Sequence, residues 1–232
     1  MDQTNAPRMA VDEAPGPGEV YIHPRHTLSD AQRMYLPLKR LLDILLSFTG
    51  LVILAPLFLA VAVIIKRDSK GPVFFRQERI GRNGLSFMIC KFRTMRANAE
   101  DWKASLSPEE QKVFVKDFKL AADPRVTKTG AFLRKTSLDE LPQLVNILKG
   151  DLSLIGPRPI VRDELEKYGD QRHFFLSVKP GLTGYWQVNG RNDTTYEERI
   201  GMELSYVSKF SPLLDIKIAF LTFGAVIRKT GI

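Results

Sequence analysis

The sequence predicts an α+β protein that is predominantly helical, with a membrane-inserted N-terminal helix ahead of a domain holding a small β-hairpin. Three observations carry this. Ile44 to Ile65 is an uncharged, almost wholly apolar run bounded by Lys39, Arg40 and Asp43 before it and Lys66, Arg67 and Asp68 after it. Val73-Phe74-Phe75 and Phe87-Met88-Ile89-Cys90 are strand-like runs either side of Gly81-Arg82-Asn83-Gly84, a good hairpin turn. Apolar residues recur at helical spacing over Leu138 to Leu148 and over Tyr196 to Phe210, where Ile200, Leu204 and Val207 share a face.

Taken in order, residues 1–35 read as a disordered tail, with Pro7, Pro15, Pro17, Gly16 and Gly18 among scattered acids. Residues 36–68 hold the membrane-inserted helix. About 20 apolar residues suffice to cross the hydrocarbon core, so the run is long enough. Pro56 near its middle removes a backbone donor and predicts a kink. Cations flank both ends, so the positive-inside rule gives no orientation, and a straight crossing and a bend back to the same face both fit. Residues 69–232 form the remaining domain. In it Ala97 to Leu120 is charged and helix-prone, with Pro108 as a helix start. Leu213 to Ile227 is apolar but interrupted by Asp215 and Lys217, too short to span, and suited to the membrane interface or to closing the core.

Composition narrows the chemistry. The chain of 232 residues carries 34 Lys+Arg against 26 Asp+Glu, a net charge of +8 that points to phosphate in some form. One cysteine, Cys90, excludes an internal disulfide, and His23, His26 and His173 are too scattered for a zinc centre. Phosphate-binding Gly-rich loops and an Asp-x-Asp triplet are absent. In Thr136-Ser137-Leu138-Asp139-Glu140-Leu141-Pro142-Gln143, Ser137 and Glu140 have capping-box spacing. That places Asp139 and Glu140 at the positive end of a helix. An ordinary first-turn acid pair is the plain alternative. Against it, Arg134 and Lys135 lie just upstream, and Gly156-Pro157-Arg158-Pro159 holds an arginine between two rigid residues. Asp123-Pro124-Arg125, Lys91-Phe92-Arg93 and Arg76-Gln77-Glu78-Arg79 add cations in compact settings. Two carboxylates amid arginines suit a magnesium ion and a diphosphate. Helix-end and arginine fields are expected to lower the Asp139 pKa, leaving an anion able to attack phosphorus.

The motifs Gly71-Pro72-Val73-Phe74-Phe75-Arg76-Gln77-Glu78-Arg79-Ile80-Gly81, Lys91-Phe92-Arg93-Thr94-Met95, Asp123 to Thr127, Leu133 to Leu144, Gly150 to Pro159 and Lys179 to Val188 follow one another in order. Together they resemble the bacterial sugar transferases, the monotopic phosphoglycosyl transferases acting on undecaprenyl phosphate, from about Lys39 to the C-terminus. The resemblance implies transfer of a sugar-1-phosphate, of galactose or glucose type, from a UDP-sugar to undecaprenyl phosphate, with release of UMP. It implies Asp139 as nucleophile, Glu140 as its partner, Mg²⁺ on Asp139, and Lys91, Arg93, Arg134 and Arg158 near the phosphates. It further implies a re-entrant helix broken at Pro56 and a catalytic domain on the cytoplasmic face of the bacterial inner membrane. In this chain the break is Ala55-Pro56, where the family often has Ser-Pro. Exopolysaccharide or O-antigen initiation is the implied setting, in a minimal catalytic version without an N-terminal multi-span region. The partners are the UDP-sugar, the lipid phosphate and the bilayer, with no nucleic acid and with a homodimer left open. The competing classes are a membrane-tethered nucleic-acid binder, for which no fold signature exists, and a membrane-anchored scaffold. Asn192-Asp193-Thr194 is read as coincidence rather than a glycosylation acceptor.

Overall fold

The computed structural model describes residues 28–96, 123, 125–190 and 194–227. Residues 1–27, the stretch Ala97 to Leu120 with Pro108, and Asn192-Asp193 lie outside the described residues, His23 and His26 among them, whereas residues 30–35, expected in the disordered tail, are the first turns of a helix.

Helix α1, Asp30–Asp68, starts at a capping box in which Ser29 Oγ accepts from Gln32 N and Gln32 Oε1 accepts from Ser29 N. Helical backbone continues through Pro37 and Pro56. It is the described helix long and apolar enough to cross a membrane. Its faces are the reverse of those of a helix in water. Gln32, Tyr35, Asp43, Ser47, Val61 and Ile65, spaced at helical intervals, are buried against the rest of the chain. Leu41, Leu45, Phe48, Val52, Leu59 and Val63 point outward, with Leu59 69 % exposed. A helix that hides its carboxylate and hydroxyl while presenting leucines outward is arranged for an apolar solvent. Asp43 explains the inward polarity: Oδ1 accepts from Leu154 N at 2.9 Å and Ser153 Oγ at 3.1 Å.

The expected hairpin is present and longer than its apolar runs. Strands β1, Phe74–Ile80, and β2, Ser86–Phe92, pair antiparallel with Phe75 opposite Lys91, Gln77 opposite Ile89 and Arg79 opposite Phe87. Alternation therefore puts Gln77, Arg79, Ile89 and Lys91 on one face. Asn83 adopts φ 60°, the left-handed geometry that Asn tolerates in a tight turn.

Helix α2, Lys128–Lys135, then leads to a 3₁₀ turn, Leu138–Glu140, and helix α3, Gln143–Lys149. The single helix expected over Leu138 to Leu148 is thus two pieces, with Pro142 at the N-cap of the second. A second pair of strands, not anticipated from sequence, is parallel: β3, Ser153–Ile155, with Ser153 opposite Gly181 of β4, Gly181–Thr183. Short helices α4, Arg162–Leu165, α5, Arg172–Phe175, and α6, Tyr185–Asn189, fill the connections. Helix α7, Tyr196–Lys209, begins at a Thr195–Glu198 capping box and buries Val207, with Ile200 and Leu204 partly buried beside the Ile160 cluster, as its periodicity predicts. Helix α8, Pro212–Ile227, repeats the inverted pattern of α1, burying Asp215 and Ile218 while Leu213, Phe220 and Phe223 are exposed.

The β3–β4 contact is too close for side chains. A Cβ on Gly181 would sit 2.1 Å from Gly156 N and 2.4 Å from Thr183 O, both backbone atoms. Gly181→Ala is expected to push β4 from β3 and cost about 1–3 kcal/mol, read as a lower denaturation midpoint with the chain still folded.

Candidate active site

Three elements converge beside the hairpin. The turn between α2 and α3 carries Asp139 and Glu140. Its shape depends on Ser137, which takes φ 56° and makes no side-chain cap hydrogen bond. The capping box expected at Ser137 and Glu140 does not form, because the left-handed residue turns the chain before any helix begins. A non-glycine residue held there is strained and is retained only when its surroundings fix it. Leu138 packs beside Phe92, Leu133 and Ile65, and Leu144 beside Ile89 and Ile147, so apolar contacts anchor the turn on both sides.

The second element is β2, whose register turns Lys91 towards the dyad, with Lys91 Nζ 2.6 Å from Glu140 Oε1. Asn146 of α3 fixes this spacing. Its Nδ2 donates to Met88 O at 2.8 Å and its Oδ1 accepts from Cys90 N at 3.0 Å, standing in for a strand partner. The third element is the Gly156–Pro159 turn. Arg158 N donates to both carboxylate oxygens of buried Glu203, at 3.1 and 3.0 Å, and its guanidinium lies 5.8 Å from the Trp186 ring centre. Arg79, Lys91, Glu140, Gln143 and Arg158 line one small open cleft.

Electrostatics separate the two acids. Burial pushes the Asp139 carboxyl up to about 6, assisted by the charge of Glu140 and opposed by Lys91 and Arg134. Burial also raises Glu140, but Lys91, Arg158 and Arg79 outweigh it and hold that carboxyl below its ordinary value. The expected depression of Asp139 is therefore reversed: the residue lies in a 3₁₀ turn ahead of α3, and desolvation is the largest influence on it. A pair of carboxyls driven apart in this way suits two different roles.

The other sequence-derived positions divide. Arg134 stands near Asp139, with its Nε donating to Thr94 Oγ1 at 3.0 Å. Arg93 is 6 % exposed and its guanidinium goes to Ser69 O at 2.7 Å and Lys70 O at 3.0 Å, tying down the end of α1 rather than entering the cleft. Sequence offers Arg79 only within a basic run, and does not offer Glu203 or Gln143 as site residues. Arg79 is legible in the hairpin register, two residues from Gln77 on the Lys91 face. Glu203 is an acid on the core face of α7, between Ile200 and Val207, an anomaly visible in the periodicity. Gln143 left no signal. Among the described residues no group of three or more His, Cys, Asp or Glu converges on a metal-binding geometry. Two adjacent carboxylates nevertheless fit Mg²⁺, which is commonly held by one or two carboxylates with substrate phosphates and water completing its shell.

A family model described as bacterial sugar transferase matches residues 34–229. The chain belongs to the bacterial sugar transferase family. Among relatives, the undecaprenyl-phosphate galactose phosphotransferase of Salmonella typhimurium is 46 % identical over 204 residues, covering 87 % of this chain and 43 % of that protein. The exopolysaccharide production protein ExoY of Sinorhizobium fredii is 44 % identical over 198 residues, covering 83 % of this chain and 87 % of ExoY. The UDP-glucose:undecaprenyl-phosphate glucose-1-phosphate transferase of Escherichia coli is 39 % identical over 203 residues, covering 84 % of this chain and 41 % of that protein. Of the first two sugar transferase relatives it matches, the chain spans less than half the length, 42 % and 43 %.

Proposed function

We propose that this chain transfers a galactose- or glucose-type sugar-1-phosphate from a UDP-sugar to undecaprenyl phosphate, releasing UMP, as the first membrane step of exopolysaccharide, O-antigen or glycoconjugate synthesis. The observation that carries the reading is a buried Asp139 beside a lower-pKa Glu140 that lines a cationic cleft with Arg79, Lys91 and Arg158, on a body whose α1 presents leucines outward. The activities for which the Salmonella and Escherichia relatives are named support it.

In the first step an Asp139 carboxylate oxygen attacks the β-phosphorus. The bond from that phosphorus to the bridging oxygen breaks, and UMP leaves with the electron pair. Arg158, Arg79 and Lys91 balance the diphosphate charge, and Arg134 stabilises the anionic form of Asp139. In the second step an anionic oxygen of undecaprenyl phosphate attacks the same phosphorus, the Asp139–phosphorus bond breaks, and the sugar leaves on a lipid diphosphate. Glu140, anionic and paired with Lys91, holds that lysine in place. Asp139 and Glu140 would hold Mg²⁺, which would neutralise phosphate charge when bound. Two half-reactions through one covalent intermediate give ping-pong kinetics.

The bilayer would hold α1 as a re-entrant helix, with the domain on the cytoplasmic face of the inner membrane. Support comes from both ends docking on one body: Gln32 Nε2 donates to Val207 O at 3.1 Å, and Asp68 Oδ2 accepts from Thr129 N at 3.3 Å. A helix that crossed and left would separate those ends by the bilayer.

The test is nucleotide release from a panel of UDP-sugars by protein in nanodiscs with undecaprenyl phosphate and Mg²⁺. UMP release that requires the lipid phosphate sustains the reading. Release of UDP means direct glycosyl transfer and overturns it. The pH profile adds a check. The nucleophile must be ionised, so kcat/KM for the UDP-sugar is expected to be level above about pH 7 and to fall roughly tenfold per pH unit below about pH 6.

A further inference from the structure

We propose that Gln143 reads the sugar of the donor: its side-chain amide hydrogen-bonds a neutral hydroxyl on the sugar next to the reacting phosphate. This rests on the reaction proposed above. Gln143 is 2 % exposed, yet among the described residues its carboxamide makes no hydrogen bond. Other buried amides here are engaged. Asn146, 3 % exposed, bonds Met88 O, Cys90 N and Asp151, and Gln32, 8 % exposed, uses both ends of its amide. Neither polar atom of the Gln143 amide is fully buried without a partner, so the amide opens to the cleft it lines, with two donors and one acceptor available to an incoming group.

Position and charge identify that partner. Gln143 opens α3, three residues after Glu140, and lines the cleft with Lys91, Glu140 and Arg158. The cations there suit phosphate oxygens, whereas a neutral amide suits a neutral group with both donor and acceptor character. On a UDP-sugar the sugar is attached to the phosphorus under attack, while uracil lies beyond the other phosphate and the ribose. A residue within one turn of the dyad therefore meets the sugar side. Polar recognition of this kind discriminates strongly, because a bound donor lacking the hydroxyl covers the amide and leaves it unmatched.

The experiment uses the full chain in nanodiscs and compares wild type with Gln143→Met, which keeps length and loses the amide. The probes are UDP-galactose, UDP-glucose, their deoxy-sugar analogues, and UMP as product inhibitor. Gln143→Met is expected to raise KM for the preferred donor roughly tenfold or more and to erase its advantage over the deoxy analogue. Inhibition by UMP, which has no sugar, should stay within about twofold of wild type. Equal weakening of donor and UMP, or discrimination that survives the substitution, overturns the inference. Gln143→Asn, which retains a shorter amide, should fall between wild type and Gln143→Met if folding limits the latter. Binding of each donor to wild type without lipid, read by calorimetry, separates the two readings. Absence of UMP release from every donor defeats the reaction, whereas equal binding of a donor and all its deoxy analogues defeats the role of Gln143.

Discussion

Asp139→Asn is expected to abolish turnover while making the protein more stable. The amide has the shape of the carboxyl but cannot form the ester to phosphorus, so UMP release should fall by roughly ten-thousand-fold or more, as when a covalent nucleophile is deleted. The stability change follows from the raised pKa. Folding moves the Asp139 carboxyl from 3.8 to about 6, so the folded state binds the proton more tightly than the unfolded chain does. Stability therefore declines as pH rises through the window from about 4 to about 6, and above it the ionised group opposes folding by about 3 kcal/mol. Asparagine carries no charge to desolvate. In metal-free protein at pH 8 the variant should melt at a higher temperature than wild type, and below about pH 4 the two should converge. The comparison uses thermal melts at the two pH values alongside UMP release. Retained turnover would remove Asp139 as nucleophile. Loss of turnover with an unchanged or lower melting temperature at pH 8 would mean that the charge is not desolvated, and the proposed pH dependence would fail with it.

What was legible in the sequence was whatever depends on local chemistry. The hairpin follows from its turn, α7 from its period and Thr195–Glu198 cap, and the apolar helix from an uncharged run that no water-facing surface tolerates. The pieces of the site were also visible as motifs. Their geometry was not. Ser137 looks like a cap by spacing, but it takes φ 56° and its side chain makes no cap hydrogen bond. Burial, which spacing does not show, then raises the Asp139 pKa against the pull of Lys91 and Arg134. Arg93 and Arg158 are both arginines in short basic motifs, and sequence offers no way to separate them. The structure does: Arg93 closes the end of α1 on Ser69 and Lys70, while Arg158 is held at the cleft by Glu203 and Trp186. The inward polarity of α1 was hidden for a related reason. Asp43 and Ser47 flank or interrupt an apolar run, and only the packed partners, Ser153 and Leu154, reveal that the polar side is the buried one.

Asp215→Ala is expected to destabilise the protein by about 3–5 kcal/mol, the cost of stranding a buried charge. Asp215 is 5 % exposed and sits where the first and last described helices meet. Its Oδ2 accepts from Tyr35 Oη at 2.9 Å and pairs with the Lys39 ammonium, and its Oδ1 accepts from Tyr206 Oη at 2.8 Å. Alanine leaves the Lys39 side chain, only 13 % exposed, with its charge and no acid, and takes the acceptor from Tyr35 Oη, while Tyr206 Oη keeps Ile155 O at 3.2 Å. The penalty is mostly that of the abandoned groups and not the worth of the ion pair itself. A companion variant separates the two. Lys39→Met with Asp215→Leu removes both charges and fills the space, and it should recover a large part of the lost stability in denaturant titrations. Tyr35 and Lys39 lie on the inward side of α1, so opening this joint frees the first turns of a helix whose other face is apolar. Asp215→Ala should therefore make the segment around Arg33 and Lys39 the first site of tryptic cleavage in nanodiscs, ahead of global unfolding. Cleavage there in the single variant, but not in the double, would assign the network to clamping α1 against α8. Equal protection in both would mean that apolar packing of Tyr35, Tyr206 and Phe210 already holds the joint, with Asp215 needed only to neutralise Lys39.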